Sequence, residues 1–228
     1  SGAPGALAAT CDFTYTTSTS NATITGCADA VPPDLGIPAI VTNGSSVDYT
    51  VTGIGNNAFQ GKALTSVTIG ENVTSIGINA FENNQISTLV IPHSVTSIAR
   101  DAFRNNALNN VTIGNGVTTI AERVFLGNAI STLTLGENLE SIGPQAFQVN
   151  QISTLVISDS VTSIDNAAFA DNAINTLTLG NNVTSIGWDA FKGNQITILE
   201  IPNSVTSVGT NAFRYNAIST LNLGNSVT

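Results

Sequence analysis

Residues 84–103 read NQISTLVIPHSVTSIARDAF, and the same pattern returns at a constant step along the chain. The Phe that closes it, Phe103, is one of eight in strict register: Phe59, Phe81, Phe103, Phe125, Phe147, Phe169, Phe191 and Phe213. Their numbers rise by 22 each time, with no slip. Seven of the eight follow Ala, and Phe125 follows Val124. A fixed period of roughly 20–30 residues marks stacked copies of one unit too small to bury its own apolar face. Such chains usually present surfaces and seldom carry out chemistry.

Counting from each Phe as position 0, position 5 is Leu or Ile and position 8 is Val or Leu. Position 10 is Ile or Leu, position 14 is Val except Leu139, and position 17 is Ile except Val208. Positions 8 and 10 have the two-residue spacing of a strand with one face inward. Positions 14 to 17 predict a second short extended segment. The Ala-Phe stretch fits a helical or 3₁₀ turn, since the span from one Phe to the next leaves no room for a full helix. Position 11 is Gly or Pro except Ser158, which stops the main strand. Position 3 is Asn in seven copies (Asn84, Asn106, Asn128, Asn150, Asn172, Asn194, Asn216), with Lys62 the exception. An Asn column can satisfy buried backbone groups and bond to itself from copy to copy. A polar ligand track is the competing reading. The fold class expected is an α/β repeat solenoid, β-dominated, with one main strand, one short strand and one helical turn per unit.

Ile130-x-x-Leu133-x-Leu135-x-x-Asn138 has leucine-rich-repeat spacing. The Ile-Pro-x-Ser-Val-Thr-Ser-Ile run and the Ala-Phe turn resemble the BspA-like class of bacterial leucine-rich repeats. The resemblance covers residues 54–228 closely and the preceding segment loosely. It implies a secreted or cell-surface protein of bacteria or some protists, often an adhesin for host or matrix proteins. Two departures stand out: the unit is slightly shorter than is usual for the class, and most copies replace the Pro with Gly.

The repeat makes the 228 residues one elongated domain, with a stack on the order of 40 Å long. Only 9% of residues are charged and the net charge is −9, which argues against nucleic acid and anionic membrane surfaces as partners. No apolar run is long enough to span a bilayer as a helix. Residues 1–9 are expected to be disordered or a processing remnant. Residues 10–53 break the register and predict a β-rich cap. In it, Phe13 and Tyr15 alternate with Thr, residues 18–21 turn, and Thr23-Ile24-Thr25 returns as a hairpin. That hairpin brings Cys11 near Cys27, either as a disulfide or as two buried thiols. Leu35 to Pro38 reads as the strand of a degenerate first unit. Asn43-Gly44 marks an inserted hairpin before Val51–Ile54 rejoins the repeat. Residues 54–228 hold eight units, the last incomplete. An uncapped last unit predicts a continuing chain or end-to-end self-association.

Little in the sequence suggests chemistry. His93 is the only histidine and sits in an exposed turn column, so a Ser-His-acid site has little to build on. No His/Cys cluster suits zinc and no glycine-rich loop precedes a helix, so no cofactor, metal or catalytic residue is expected.

Two surfaces differ in kind. Outward positions 7 and 9 are rich in Thr: Thr68, Thr88, Thr112, Thr132, Thr134, Thr154, Thr176, Thr178 and Thr220. Thr favours strands, but a uniform hydroxyl-methyl array also suits a regular lattice such as ice or polysaccharide. Positions flanking the Ala-Phe turn vary from copy to copy. They hold Arg100 and Arg104 in one charged group, and Trp188, Asp189, Lys192, Arg214 and Tyr215 in another. Trp, Tyr and Arg are common binding anchors. The sequence therefore predicts a non-enzymatic extracellular adhesion module that binds a protein or surface glycan. A lattice binder and a structural spacer are the alternatives.

Overall fold

The computed structural model describes residues 11–227, so the expectation for residues 1–9 lies outside the described residues. The strands are numbered in chain order. The cap contributes β1 (Phe13–Ser18), β2 (Asn21–Cys27), β3 (Asp34–Gly36), β4 (Ile40–Thr42) and β5 (Asp48–Ile54). The main strands of the repeat are β6 (Ser66–Thr68), β8 (Thr88–Ile91), β10 (Asn110–Ile113), β12 (Thr132–Thr134), β14 (Thr154–Val156), β16 (Thr176–Thr178), β18 (Ile198–Glu200) and β20 (Thr220–Asn222). The short strands are β7 (Ser75–Ile76), β9 (Ser97–Ile98), β11 (Thr119–Ile120), β13 (Ser141–Ile142), β15 (Ser163–Ile164), β17 (Ser185–Ile186) and β19 (Ser207–Val208). Each unit forms one rung, with rung 1 beginning at Phe59 and rung 8 at Phe213.

Pairing is parallel and in register, each residue meeting its equivalent one unit on: Leu155 faces Leu177, and Ile164 faces Ile186. Every column therefore places like on like. Leu64, Ile86, Val95, Ile130 and Ile152 are fully buried, as the period-2 and period-3 spacing of their columns requires. The Phe column is a continuous ring stack, with centroids 5.2 to 5.8 Å apart and planes within 15° of parallel. Phe13 of the cap closes the stack edge-on against Phe59 at 6.4 Å.

The Ala-Phe segment is not helical, and the described residues contain no helix. The residues two before and two after every Phe have φ between +53° and +69°. A left-handed residue at each side cannot continue a right-handed helix. In their place the chain makes two tight turns, and alternate N–H groups point along the stack. In rung 1 the N–H groups of Asn57, Phe59 and Gly61 donate to the Ile78, Ala80 and Glu82 carbonyls at 2.8–2.9 Å. The turn is thus a third hydrogen-bonded face of the solenoid.

The Asn column does not bond to itself. Asn84 Nδ2 donates to the carbonyls of Phe59 and Phe81, both at 2.9 Å. Its Oδ1 accepts from the Lys62 and Leu64 N–H groups at 3.0 Å. The same pattern recurs at Asn106, Asn150 and Asn194, so each amide clamps two rungs through the backbone.

The cap follows the sequence closely. β1 and β2 form an antiparallel hairpin that pairs Phe13 with Cys27, and Cys11 is bridged to Cys27. β3 pairs with β6 so that Leu35 faces Val67, which makes it the strand of a degenerate rung. The β4–β5 hairpin turns at Asn43, whose Oδ1 accepts from the Ser45 and Val47 N–H groups. β5 then joins the short-strand column, with Ile54 opposite Ile76. At the other end of the stack Phe213 is half-buried, and Leu221 and Leu223 are exposed.

Candidate functional site

The turn-side surface holds the predicted anchors, and the structure divides them. Arg104 is not free to meet a ligand: it reaches Glu82 at 3.7 Å and Asp101 at 3.6 Å. Arg123 also reaches Asp101, at 3.0 Å, and Gln60 Nε2 donates to Glu82 Oε2 at 2.6 Å. Asp101 and Glu82 are buried, so this network ties four successive Ala-Phe turns together. A buried carboxylate needs such partners. Arg100 is exposed on the same side and has no ion pair among the described residues.

The second group is more open. Trp188 is 52% exposed and Tyr215 is 65% exposed. The Arg214 guanidinium lies 4.5 Å from the centre of the Tyr215 ring. Lys192 and Asp189, on the same turn as Trp188, pair with each other at 3.3 Å. The Trp188 N–H donates to Asn166 Oδ1 at 3.1 Å, so its backbone is fixed while its indole is not enclosed. A shallow cleft of about 450 Å³ runs beside it, lined by Asn166, Ser185, Gly187, Trp188, Ser207 and Thr210 among others.

The turn column that contains His93 is structural. His93 Nδ1 accepts from the Asn115 N–H at 3.0 Å, Asn115 Oδ1 from the Glu137 N–H at 3.0 Å, and Asp159 Oδ1 from the Asn181 N–H at 2.7 Å. Each side chain thus caps the next rung's turn, a role that residue type alone does not announce. Among the described residues the one group with metal-ligand proximity is Cys11, Cys27 and Asp29, and the disulfide removes both thiolates from it.

The strand face does bring the Thr columns together. Thr68, Thr88, Thr132, Thr134, Thr154, Thr176, Thr178 and Thr220 are exposed and Thr112 is half-buried. It is not a single sheet, however. Hydrogen-bonded ladders join β3–β6, β8–β10–β12, β14–β16 and β18–β20, with breaks between these groups. Val90, Val156 and Ile198 also stand outward among the Thr side chains at 57% to 65% exposure. A different Thr column runs beside the short strands. Its hydroxyls are committed to the fold, with Thr74, Thr96, Thr162 and Thr184 donating to the carbonyl of the preceding rung at 3.0–3.2 Å.

The parallel in-register rungs, the Phe stack and the Asn clamps define a leucine-rich-repeat solenoid. The chain belongs to the BspA-type leucine-rich-repeat family, whose model matches residues 43–152 and 140–228 in six copies. It is similar to a leucine-rich cell surface protein from Faecalibacterium prausnitzii, with 18% identity and a TM-score of 0.40, over 98% of this chain and 96% of that one. It is also similar to the pneumococcal vaccine antigen PcpA, with 16% identity and a TM-score of 0.41, over 94% of this chain and 80% of that one. A leucine-rich-repeat protein from Eubacterium ventriosum matches with 18% identity and a TM-score of 0.44, over 90% of this chain and 68% of that one. No curated protein matches the chain. Among the described residues no helix is long and apolar enough to cross a membrane.

Proposed function

We propose that the protein is an extracellular, non-enzymatic adhesion module that grips a partner protein through the turn-side surface around Trp188 and Tyr215. The observation that carries this reading is the exposure of two large aromatic residues on successive Ala-Phe turns, in columns where the fold does not ask for them. The Trp188 column otherwise holds Ile78, Arg100, Glu122, Pro144, Asn166 and Thr210. The Tyr215 column is left-handed in every rung and holds Gly, Asn or Asp in six of the other seven. A bulky side chain there costs roughly 1–2 kcal/mol, so packing does not select it. Aromatic residues backed by an arginine supply rigid contact area at low entropic cost.

The cap disulfide supports the compartment, since such bridges persist where the surroundings are oxidising. The interruptions of the strand face weigh against a single extended lattice there, because a periodic target needs periodic contacts.

Surface plasmon resonance against immobilised matrix proteins tests the reading. Trp188→Ala and Arg214→Ala are expected to weaken binding about tenfold each, while Thr134→Tyr leaves it unchanged. Equal binding by all the variants, or binding lost only with the Thr variant, overturns it.

A further inference from the structure

The breaks in the strand face fall in front of three rungs that share a local sequence. At positions 9 to 11, rungs 2, 5 and 7 read Val90-Ile91-Pro92, Val156-Ile157-Ser158 and Glu200-Ile201-Pro202. The other five read Thr or Asn, then Ile or Leu, then Gly. The ladder is missing between β6 and β8, between β12 and β14, and between β16 and β18. Prolines stand at two of these breaks. Across the intact boundary between rungs 2 and 3, the Gly114 N–H donates to the Ile91 carbonyl at 3.0 Å. The equivalent bonds at the first and third breaks would need N–H groups from Pro92 and Pro202, which have none. The ladders β10–β12, β14–β16 and β18–β20 form without the bond that Gly114 makes, so the prolines accompany the breaks, and nothing in the structure explains the one at Ser158.

Clefts lie at the first and third breaks. One of about 320 Å³ lies between β6 and β8, with Thr68, Glu71, Thr88, Val90 and Pro92 in its walls. Another of about 280 Å³ lies between β16 and β18, with Thr176, Thr197, Ile198 and Glu200 in its walls. Beside the second is a wider hollow of about 560 Å³ that adds Asn181, Asn203 and Asn222. The two clefts have matching chemistry although five rungs, roughly 24 Å, separate them. Each offers Thr hydroxyls, one carboxylate and one exposed aliphatic side chain. Neither is lined by a cation or an aromatic ring. Strand edges that are not laddered together also leave backbone donors and acceptors facing the gap, and these need partners.

A ligand for such a cleft must donate to a carboxylate and to carbonyls, accept from N–H and hydroxyl groups, and lay C–H surface on Val90 or Ile198. It must carry no negative charge, given the Glu in each cleft and the net charge of −9. We propose that these two clefts are equivalent subsites for a neutral oligosaccharide, whose hydroxyls act as both donors and acceptors and whose ring faces are apolar. The site is separate from the turn-side surface and does not rest on it.

The test probes an array of linear neutral hexose and N-acetylhexosamine oligomers, with sulfated glycans and an unstructured peptide library as controls. The wild type is expected to retain at least one neutral oligomer. Glu200→Gln is expected to weaken binding about tenfold by removing a charge-assisted hydrogen bond, and adding Glu71→Gln to weaken it further. Trp188→Ala should change nothing on the array. The proposal is overturned if no neutral oligomer is retained, if Glu71→Gln/Glu200→Gln binds as wild type, or if sulfated glycans or peptides are preferred. Circular dichroism of each variant separates lost binding from lost fold.

Discussion

Asn150 reaches back across a rung boundary to Phe125, its Nδ2 3.0 Å from the Phe125 carbonyl, while its Oδ1 accepts from the Ile130 N–H at 3.0 Å. One buried side chain thus satisfies backbone groups of two rungs, including the Phe147 carbonyl at 3.0 Å. Asn150→Ala leaves three polar groups buried without partners. It is expected to cost about 3 kcal/mol or more, since each orphaned group costs about 1–3 kcal/mol. Asn150→Asp should be at least as harmful, because a carboxylate cannot donate to the two carbonyls. Urea denaturation of both variants measures this.

Phe147 has parallel ring neighbours on both sides, Phe125 and Phe169, each 5.2 Å away. Phe147→Ala is expected to cost about 3–5 kcal/mol, the range for emptying an aromatic site in a packed core. Phe213 is half-buried and stacks on Phe191 alone among the described residues, so Phe213→Ala should cost visibly less. The ratio of the two losses in thermal melts tests whether the stack is energetically graded.

Val149 is a β-branched residue held at φ +57°, in a column where other rungs place Gly61, Asn83, Asn105, Gly127, Asp171 and Gly193. Its side chain is 48% exposed, so little packing offsets the strain. Val149→Asn is expected to stabilise the protein by about 1 kcal/mol, by relieving a left-handed conformation that Asn tolerates. An unchanged or lowered midpoint would show that Val149 makes compensating contacts.

The Cys11–Cys27 bridge closes a 16-residue separation. Its reduction should remove about 3 kcal/mol from the cap on the chain-entropy account. Since Phe13 lies against Phe59, loosening β1 also uncovers the first ring of the stack. Hydrogen exchange after reduction should therefore rise first in residues 13–27 and then in rung 1, leaving rungs 4 to 6 protected.

Arg104 and Trp188 should separate stability from recognition. Arg104 sits between the buried carboxylates of Glu82 and Asp101. Arg104→Ala should lower stability by about 1–2 kcal/mol, since it strips a partner from two desolvated charges. Ligand binding should be unaffected. Trp188→Ala should do the reverse, because its side chain is half in solvent. Denaturation midpoints and binding curves on the same two variants check both halves.

The core columns, both strands of the unit, the cap hairpins and the proximity of Cys11 to Cys27 could all be read from residue type and spacing. The turn could not. Its paired left-handed residues are imposed by the ladder of Asn57, Phe59 and Gly61 onto the next rung, and the position two before the Phe holds Asn, Asp, Arg, Gln or Ala. Residue preference alone does not reveal a conformation that the neighbouring rung enforces at Arg123, Gln145 and Ala167. The charged group of Arg100 and Arg104 was visible as a group. That Arg104 is consumed by Asp101 and Glu82 depends on contacts one rung away. The clefts did leave a signal, in the Pro92 and Pro202 that stand where most rungs have Gly.

The Asn clamps join positions separated by 20 or 25 in the chain, and the rung-to-rung ladders join positions one period apart. The loop that must be closed to add a rung is therefore the same at Asn106 as at Asn194, and it does not grow with the length of the array. Folding can begin at any pair of rungs and extend in both directions, with each added rung meeting the same small entropic barrier. Duplicating a single unit would lengthen the molecule without slowing the step that builds it.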